Sequence, residues 1–170
     1  MVLPYPMIQR KIYGIGSELN EHYELNLVII GNCSFPFASD LYKLVQDKVE
    51  SVSILEPYFD QENEKIVFGG SITADLTNKE CFVIHAVSDT GFVHHSVMEY
   101  ISGMFPNCRI RNICMIDKLH NRKFEYHTDY SVLEVKDQDI FFVGYGISLN
   151  KEYKDLKGIY QITEVHAQQE

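Results

Sequence analysis

A buried strand followed by a short polar loop and an amphipathic helix constrains this fold more than any other feature of the sequence. The strand covers residues 81–87, CFVIHAV, the loop is SDTG, and the helix begins at FVHHSV. An apolar run of this kind suits a strand that is covered on both faces, as in a parallel sheet between helices. Similar alternation elsewhere predicts an α/β fold with a mostly parallel central sheet flanked by helices.

The neighbouring elements follow from the same reasoning. Leu25–Ile30 is an apolar run that predicts a second buried strand, and Pro36 suits the first turn of the next helix. Residues 56–65, EPYFDQENEK, are acidic and contain a proline, which predicts an exposed loop, with a functional lid as the less favoured alternative. The predicted apolar faces of the two helices are Phe37, Leu41, Leu44 and Val45, and Val93, Val97, Ile101 and Met104.

Charge and composition limit the class of protein. Fifteen Lys and Arg against 24 Asp and Glu give a net charge of −9, which opposes the binding of long nucleic acids but not of a small phosphorylated ligand. A length of 170 residues predicts one domain over residues 1–170. No stretch is long enough to span a bilayer and no signal peptide is evident, so no membrane partner and a cytoplasmic location are expected. The cysteines form no C-x-x-C pair and are predicted to be reduced and mostly buried: Cys33, Cys81, Cys108 and Cys114.

The SDTG loop has two interpretations. Backbone amides at the start of a helix can converge on a phosphate, but the same residues also fit a plain turn in which Asp89 caps the helix. His94 and His95 lie near His85, which allows a metal cluster as a minor alternative. Adjacent helix residues point in different directions, so ordinary surface or phosphate-proximal histidines are favoured.

Four segments resemble the hypoxanthine-guanine branch of the type I phosphoribosyltransferases. The loop containing D-T-G is similar to the phosphoribosyl-pyrophosphate motif, and FFVGYGISLNKEYKDL, residues 141–156, resembles the C-terminal signature of this branch. IGNCSFPFASDL and MIDKLHNR resemble two further motifs of the branch in order and spacing. The resemblance implies the type I phosphoribosyltransferase fold, with a small hood formed by the N-terminal segment and the residues after about 145.

The resemblance also implies roles for the matching residues. Asp89 would be the catalytic residue, a general base or hydrogen-bond partner beside purine N7. Lys118 would donate to the 6-oxo group, with a simple turn ion pair to Asp117 as the alternative. Phe141 would stack on the purine, Phe142 would meet its other edge, and Arg122 would be a framework residue. The 5′-phosphate would be held by Asp89, Thr90, Gly91, Phe92 and Val93.

The chain departs from the family pattern where ribose, pyrophosphate and metal would bind. His85 and Ala86 replace the acidic pair on the ribose side, so ribose binding is expected to weaken. On the pyrophosphate side, Asn32 and Cys33 replace a lysine and a glycine, and a lysine replaces an arginine at Lys154. A serine, Ser148, replaces the metal-side aspartate, and a valine replaces the last threonine of the phosphate motif.

The implied function is purine salvage. A 5-phosphoribosyl group would pass from phosphoribosyl pyrophosphate to hypoxanthine or guanine, giving IMP or GMP, with Mg²⁺ as cofactor. The expected partners are a purine base or nucleotide and phosphoribosyl pyrophosphate, and the resemblance suggests a homodimer or homotetramer. Because several site residues are replaced, the alternative is an inactive family member that binds purine nucleotides in a regulatory role.

Overall fold

The computed structural model describes residues 1–120, 122–136 and 140–162. In these residues the helices are α1 (Tyr5–Leu19), α2 (Phe35–Val45) and α3 (Phe92–Met104). The strands are β1 (Leu25–Ile30), β2 (Val49–Asp60), β3 (Lys65–Ser71), β4 (Glu80–Ser88), β5 (Arg109–Lys118), β6 (Tyr130–Val135), β7 (Phe141–Val143) and β8 (Tyr160–Ile162).

Six strands form the central sheet, in the order β3-β2-β1-β4-β5-β6. All neighbours are parallel except β2 and β3. The predicted α/β class with a mostly parallel sheet is therefore confirmed. In the register of β1 and β4, Ile30 lies opposite His85, so the loops after these two strands leave the sheet at the same edge.

Helices cover the sheet on both faces. On one face, Ile12 of α1 and Phe37 of α2 pack in the same core cluster as Phe82 of β4. On the other face, Val97 and Ile101 of α3 pack in a second cluster with residues of β1 and β4. These contacts explain why β1 and β4 are mostly apolar on both faces, with Asn26 and His85 as buried polar exceptions.

Two predicted helix-face residues are wrong, because Leu44 and Met104 are 37% and 46% exposed. Leu44 lies at the edge of α2, where it contacts Gly16 of α1; a Cβ on Gly16 would lie 3.0 Å from the Leu44 Cβ. In α3, His94 is buried together with Val97 and Ile101. Because histidine is polar, the apolar pattern of the sequence does not show that this position belongs to the buried face.

The predicted loop at residues 56–65 is also wrong, because these residues form the end of β2, a turn and the first residue of β3. β2 continues to Asp60, and β3 begins at Lys65 and runs antiparallel to it. β1 ends at Ile30, opposite Leu55, so beyond Leu55 the hairpin leaves the parallel sheet. Pro57 is tolerated there because no strand lies on its other side to require its missing N–H group.

A smaller two-stranded sheet, β7 with β8, lies apart from the central one. Leu3 forms backbone hydrogen bonds with Ile159, next to β8, so the N-terminal segment joins this sheet. The N-terminal segment and the residues after 145 are thus brought together, as the predicted hood requires. One domain over residues 1–170 stays a prediction, because residues 163–170 lie outside the described part of the chain.

The four cysteines are free thiols, two of them buried (Cys81 and Cys114) and two half-buried (Cys33 and Cys108). Within the described residues, no helix combines the length and the apolar character needed to cross a membrane.

Candidate functional site

The polar side chains singled out in the sequence gather where β4 and β5 end. In their register Ser88 lies opposite Asp117, so the SDTG loop and Lys118 leave the sheet side by side. The Lys118 ammonium lies 2.7 Å from a carboxylate oxygen of Asp89. It also lies 5.9 Å from the centre of the Phe141 ring, which is half exposed. The three residues predicted for the purine side therefore lie together.

Two of the alternatives from the sequence are wrong. The cap residue of α3 is Gly91, and no side chain caps the helix, so Asp89 is not its N-cap. Lys118 pairs with Asp89 rather than with Asp117, whose carboxylate instead accepts a hydrogen bond from Arg122. Lys118 is almost fully buried, with only 7% of its side chain exposed, whereas 42% of the Asp89 side chain is exposed. In the Lys118–Asp89 ion pair, it is therefore the Asp89 side chain that faces solvent.

The start of α3 is held by the chain that follows β5. The Thr90 carbonyl accepts a hydrogen bond of 2.9 Å from the Lys123 backbone N–H, and the Phe92 ring stacks on Phe124. Gly91 has φ of 82°, and a Cβ there would lie 2.6 Å from Tyr126. Only glycine fits such a position, because both the backbone conformation and the space exclude a side chain.

The last residue of the predicted phosphate loop, Val93, is half-buried and packs against the α3 core cluster. It presents no polar group. The Phe142 side chain is also buried in the core, so only its backbone can reach a ligand.

A column of stacked planar groups runs beneath this loop. The His85 and His94 rings are 3.4 Å apart and nearly parallel, and His94 stacks in turn on Tyr126 at 4.3 Å. The Arg122 guanidinium lies 4.2 Å from the Tyr126 ring centre. Sequence reasoning missed Tyr126, which sits in a polar stretch without a periodic pattern.

Burial keeps both histidines of the column neutral at pH 7. His85 and His94 are 3% and 2% exposed, and their Nε2 atoms are buried without a hydrogen-bond partner. Burial lowers the pKa of His94 to about 3. Burial and the neighbouring His94 lower the pKa of His85 well below its ordinary value. These are not surface histidines, in contrast to His95, which stacks on Phe124 and is partly exposed.

The column does not form a metal site. Imidazole lone pairs lie in the ring plane, so two parallel rings 3.4 Å apart cannot direct both toward one ion. Among the residues that the structure describes, no group of three His, Cys, Asp or Glu could hold a metal ion.

The loop after β1 is tied to both of its neighbouring strands. The buried Ser34 hydroxyl accepts a hydrogen bond of 2.8 Å from the Ala86 N–H and donates one to the Ile30 carbonyl. On the other side, the Asn32 backbone N–H donates to a carboxylate oxygen of Glu56 at 2.9 Å. Sequence reasoning missed Ser34 and Glu56, because neither contact leaves a periodic pattern.

The residues predicted for the ribose and pyrophosphate sides lie around this loop. Ala86 is 2% exposed, so neither it nor His85 offers an open polar group. Asn32 is exposed and Cys33 is half-buried, and burial raises the pKa of the Cys33 thiol. No peptide bond in the described residues is cis.

Lys154 reaches the same region through the loop after β7. Its carbonyl accepts a hydrogen bond of 2.9 Å from Gly146, and a Cβ on Gly146 would lie 2.5 Å from the Cys33 carbonyl oxygen. Lys154 and Phe35 line a pocket of 410 Å³ there. The exposed Ser148 lies in the same loop.

The described residues on the predicted metal, ribose and phosphate sides do not fit a Mg²⁺ ion bound by the protein. Mg²⁺ is usually held by one or two carboxylates, but Ser148 offers only a hydroxyl. His85 and Ala86 offer no oxygen from their side chains, and the Asp117 carboxylate is engaged by Arg122.

Comparison with known proteins gives one consistent family. No protein-family model matches the sequence. A hypoxanthine-guanine phosphoribosyltransferase of Aquifex aeolicus is 23% identical over 165 residues, which cover 92% of this chain and 90% of the relative. The Bacillus subtilis enzyme of the same name is 25% identical over 88% of this chain and 84% of its own. The rat enzyme is 26% identical over 98 residues, 58% of this chain and 44% of its own length.

Solved structures agree on the fold. A hypoxanthine phosphoribosyltransferase from Staphylococcus aureus superposes with a TM-score of 0.82 at 23% identity, covering 94% of this chain and 89% of the other. A hypoxanthine-guanine phosphoribosyltransferase from Bacillus anthracis gives a TM-score of 0.85 at 20% identity, covering 95% and 97%. This chain thus has the type I phosphoribosyltransferase fold, and the sequence relatives it resembles are named hypoxanthine-guanine phosphoribosyltransferases.

Proposed function

We propose that this protein acts in purine salvage, transferring 5-phosphoribosyl from phosphoribosyl pyrophosphate to hypoxanthine or guanine to give IMP or GMP. The observation that carries the proposal is the Lys118–Asp89 ion pair beside the open ring of Phe141. An aromatic face, a cation and a carboxylate are together what a 6-oxopurine requires. The relatives that share this fold carry names that describe the same reaction.

The chemistry of each group supports this assignment. An ammonium only donates hydrogen bonds, so Lys118 favours a purine with an oxo group over one with an amino group at that position. One carboxylate oxygen of Asp89 is bound by Lys118, while the other is buried without a partner. That second oxygen can accept the proton that a purine ring nitrogen carries once the groups that cover it move aside on binding. The half-exposed Phe141 ring leaves a face for the base to stack on.

The phosphate is proposed to bind at the start of α3, near Thr90 and Gly91. Amides at a helix N-terminus favour an anion, and the segment packed over Gly91 keeps this turn in place. Mg²⁺ is proposed only as a companion of phosphoribosyl pyrophosphate, since the described side chains do not form a site for it. A cytoplasmic location and a homodimer or homotetramer remain predictions.

A second function, nucleotide binding without turnover, is favoured by a specific observation. The side chains of His85 and Ala86 are buried, and Glu56 occupies an amide of the pyrophosphate-side loop. The transferase reaction needs the charge of the leaving pyrophosphate to be stabilised, and that stabilisation is usually a large part of catalysis. In this second function the protein still binds a purine nucleotide but does not transfer the phosphoribosyl group.

Two measurements separate these functions. Turnover of hypoxanthine and guanine with phosphoribosyl pyrophosphate and Mg²⁺ is expected for the transferase, and Asp89→Asn should reduce it by about 100-fold or more. Calorimetric binding of GMP or IMP is expected under both functions. Binding without any turnover at high protein concentration would leave only the second function, and the absence of both binding and turnover would contradict the proposal.

A further inference from the structure

Three backbone N–H groups in the loop between β1 and α2 form hydrogen bonds within the chain. The Gly31 N–H donates to the Leu55 carbonyl at 2.8 Å, and the Ser34 N–H donates to the Gly31 carbonyl at 3.2 Å. The Asn32 N–H, between them, donates to the Glu56 carboxylate at 2.9 Å. Gly31 has φ of 71°, which turns the chain sharply at the end of β1. Successive amides after such a turn form a concavity that binds anions.

The anion in this concavity is a side chain of the protein itself. Glu56 is the first residue of β2 beyond Leu55, where β1 ends, so the departing hairpin brings its carboxylate back over the loop. Its neighbour Pro57 has a fixed φ, which limits the freedom of the chain at this point. The charge of Glu56 also bears on the nearby Cys33 thiol, whose pKa is raised first by burial and then by this carboxylate.

We propose that Glu56 is a specificity-determining residue that occupies the anion position at the Asn32 N–H and competes with a pyrophosphate group for it. The inference rests on the proposed function, in which this loop lies on the pyrophosphate side of the site. The site then accepts a ligand with a single phosphate at the SDTG loop more readily than one that also carries a pyrophosphate. GMP or IMP is the ligand class that fits.

The physical reason is competition and repulsion at one position. A pyrophosphate oxygen at this position would compete with Glu56 for the Asn32 N–H, while the N–H groups of Gly31 and Ser34 are bonded to backbone carbonyls. A ligand anion close to Glu56 would also meet a like charge. Removing the carboxylate therefore removes a competitor and a repulsive charge together.

The test is the affinity for inorganic pyrophosphate, measured by calorimetry with and without Mg²⁺. Glu56→Ala is expected to bind pyrophosphate about tenfold or more tightly than the wild type. Glu56→Gln should gain less, because its amide oxygen still accepts from Asn32 although the charge is gone. If thermal unfolding shows that Glu56→Ala is not folded, the comparison of Glu56→Gln with the wild type decides the question.

The matched control is Glu62→Ala, which removes an equally negative but exposed side chain in the turn of the same hairpin. It should leave pyrophosphate affinity within about twofold of wild type. Equal affinities in the wild type and both Glu56 variants would overturn the inference, as would an equal gain in the control. GMP affinity is measured in parallel: its absence in every protein would refute the proposed function, whereas the pyrophosphate comparison would still decide the role of Glu56.

Discussion

The two sides of this site are built on opposite principles. On the purine side, Lys118, Asp89 and Phe141 present a cation, a carboxylate and an aromatic face, and two of these three side chains are at least two-fifths exposed. On the ribose and pyrophosphate sides, His85 and Ala86 are covered, and the amide of Asn32 is already bonded. The purine side is therefore open to a ligand, whereas on the ribose and pyrophosphate sides the polar groups are buried or bonded within the protein.

This difference shows that the replacements of family residues on the ribose side do more than remove ligand-binding groups. A missing carboxylate on the ribose side could have left an empty, wet cleft. Instead, His85 stacks under His94 and Tyr126, and Ser34 bonds the backbone of Ala86. The replaced positions have become part of the packing, so restoring one family residue would disturb the fold before it restored a function.

The largest effect is expected from Ala86→Asp, which restores a family acidic residue. Ala86 is 2% exposed and lies in the core cluster with Phe82 and Ile84, so the new carboxylate would be buried without a partner. The free energy of unfolding should fall by about 3 kcal/mol or more, measured by urea denaturation. Val87→Asp, at a neighbouring residue that is 36% exposed, should cost less than about 1 kcal/mol. Equal stability of the two variants would mean that the ribose side is open after all.

The next effect concerns the purine side. Lys118→Met keeps most of the buried stem but removes the ammonium, leaving the Asp89 carboxylate without its partner. GMP affinity should fall about 100-fold by calorimetry, because a charged hydrogen bond to the base is lost and an unpaired carboxylate faces it. Lys123→Met, at an exposed residue close by, should change affinity less than about threefold. A similar affinity in both variants would contradict the assignment of the purine side.

The smallest effect is the pH dependence of the histidine column. A histidine whose pKa is lower in the folded state contributes stability above its unfolded pKa, about 6.5, and loses it as the pH falls. With the pKa of His94 at about 3, the wild type should lose about 2 kcal/mol of unfolding free energy through this residue between pH 7 and pH 5.

The comparison is made by urea denaturation at the two pH values. His94→Phe keeps a stacked ring but cannot be protonated, so it should show a smaller loss than the wild type. His95→Phe, at the partly exposed neighbour, should retain the wild-type loss. If His94→Phe lost as much unfolding free energy between pH 7 and pH 5 as the wild type, other groups would control the acid sensitivity.

The sequence predicted the parallel part of the fold well, because it depends on local patterns. Leu25–Ile30 and residues 81–87 are apolar runs, and β1 and β4 are found there. The hairpin around residues 56–65 was not predicted, because its strands extend beyond the parallel sheet and carry the acidic residues and proline that are typical of exposed loops. α1 was not predicted; Pro4 precedes it, Pro6 lies in its first turn, and it contains Gly14 and Gly16, which disfavour helices.

The candidate site shows the same division. The family resemblance placed Asp89, Lys118 and Phe141 beside one another. The column beneath them could not, because Tyr126 reaches His94 only through the fold of the polar stretch after β5. The Glu56–Asn32 contact likewise depends on where β1 stops relative to β2, a geometric fact with no sequence signature.

The pairing of Leu3 with Ile159 has a consequence for how the chain is made. Ile159 is synthesised long after Leu3, so the N-terminal segment cannot join the small sheet until Ile159 has left the ribosome. The entropy of joining such distant segments also delays this step in refolding. The central sheet, whose strands all precede Ile159, should therefore form before the N-terminal segment joins the small sheet beside the Lys154 loop.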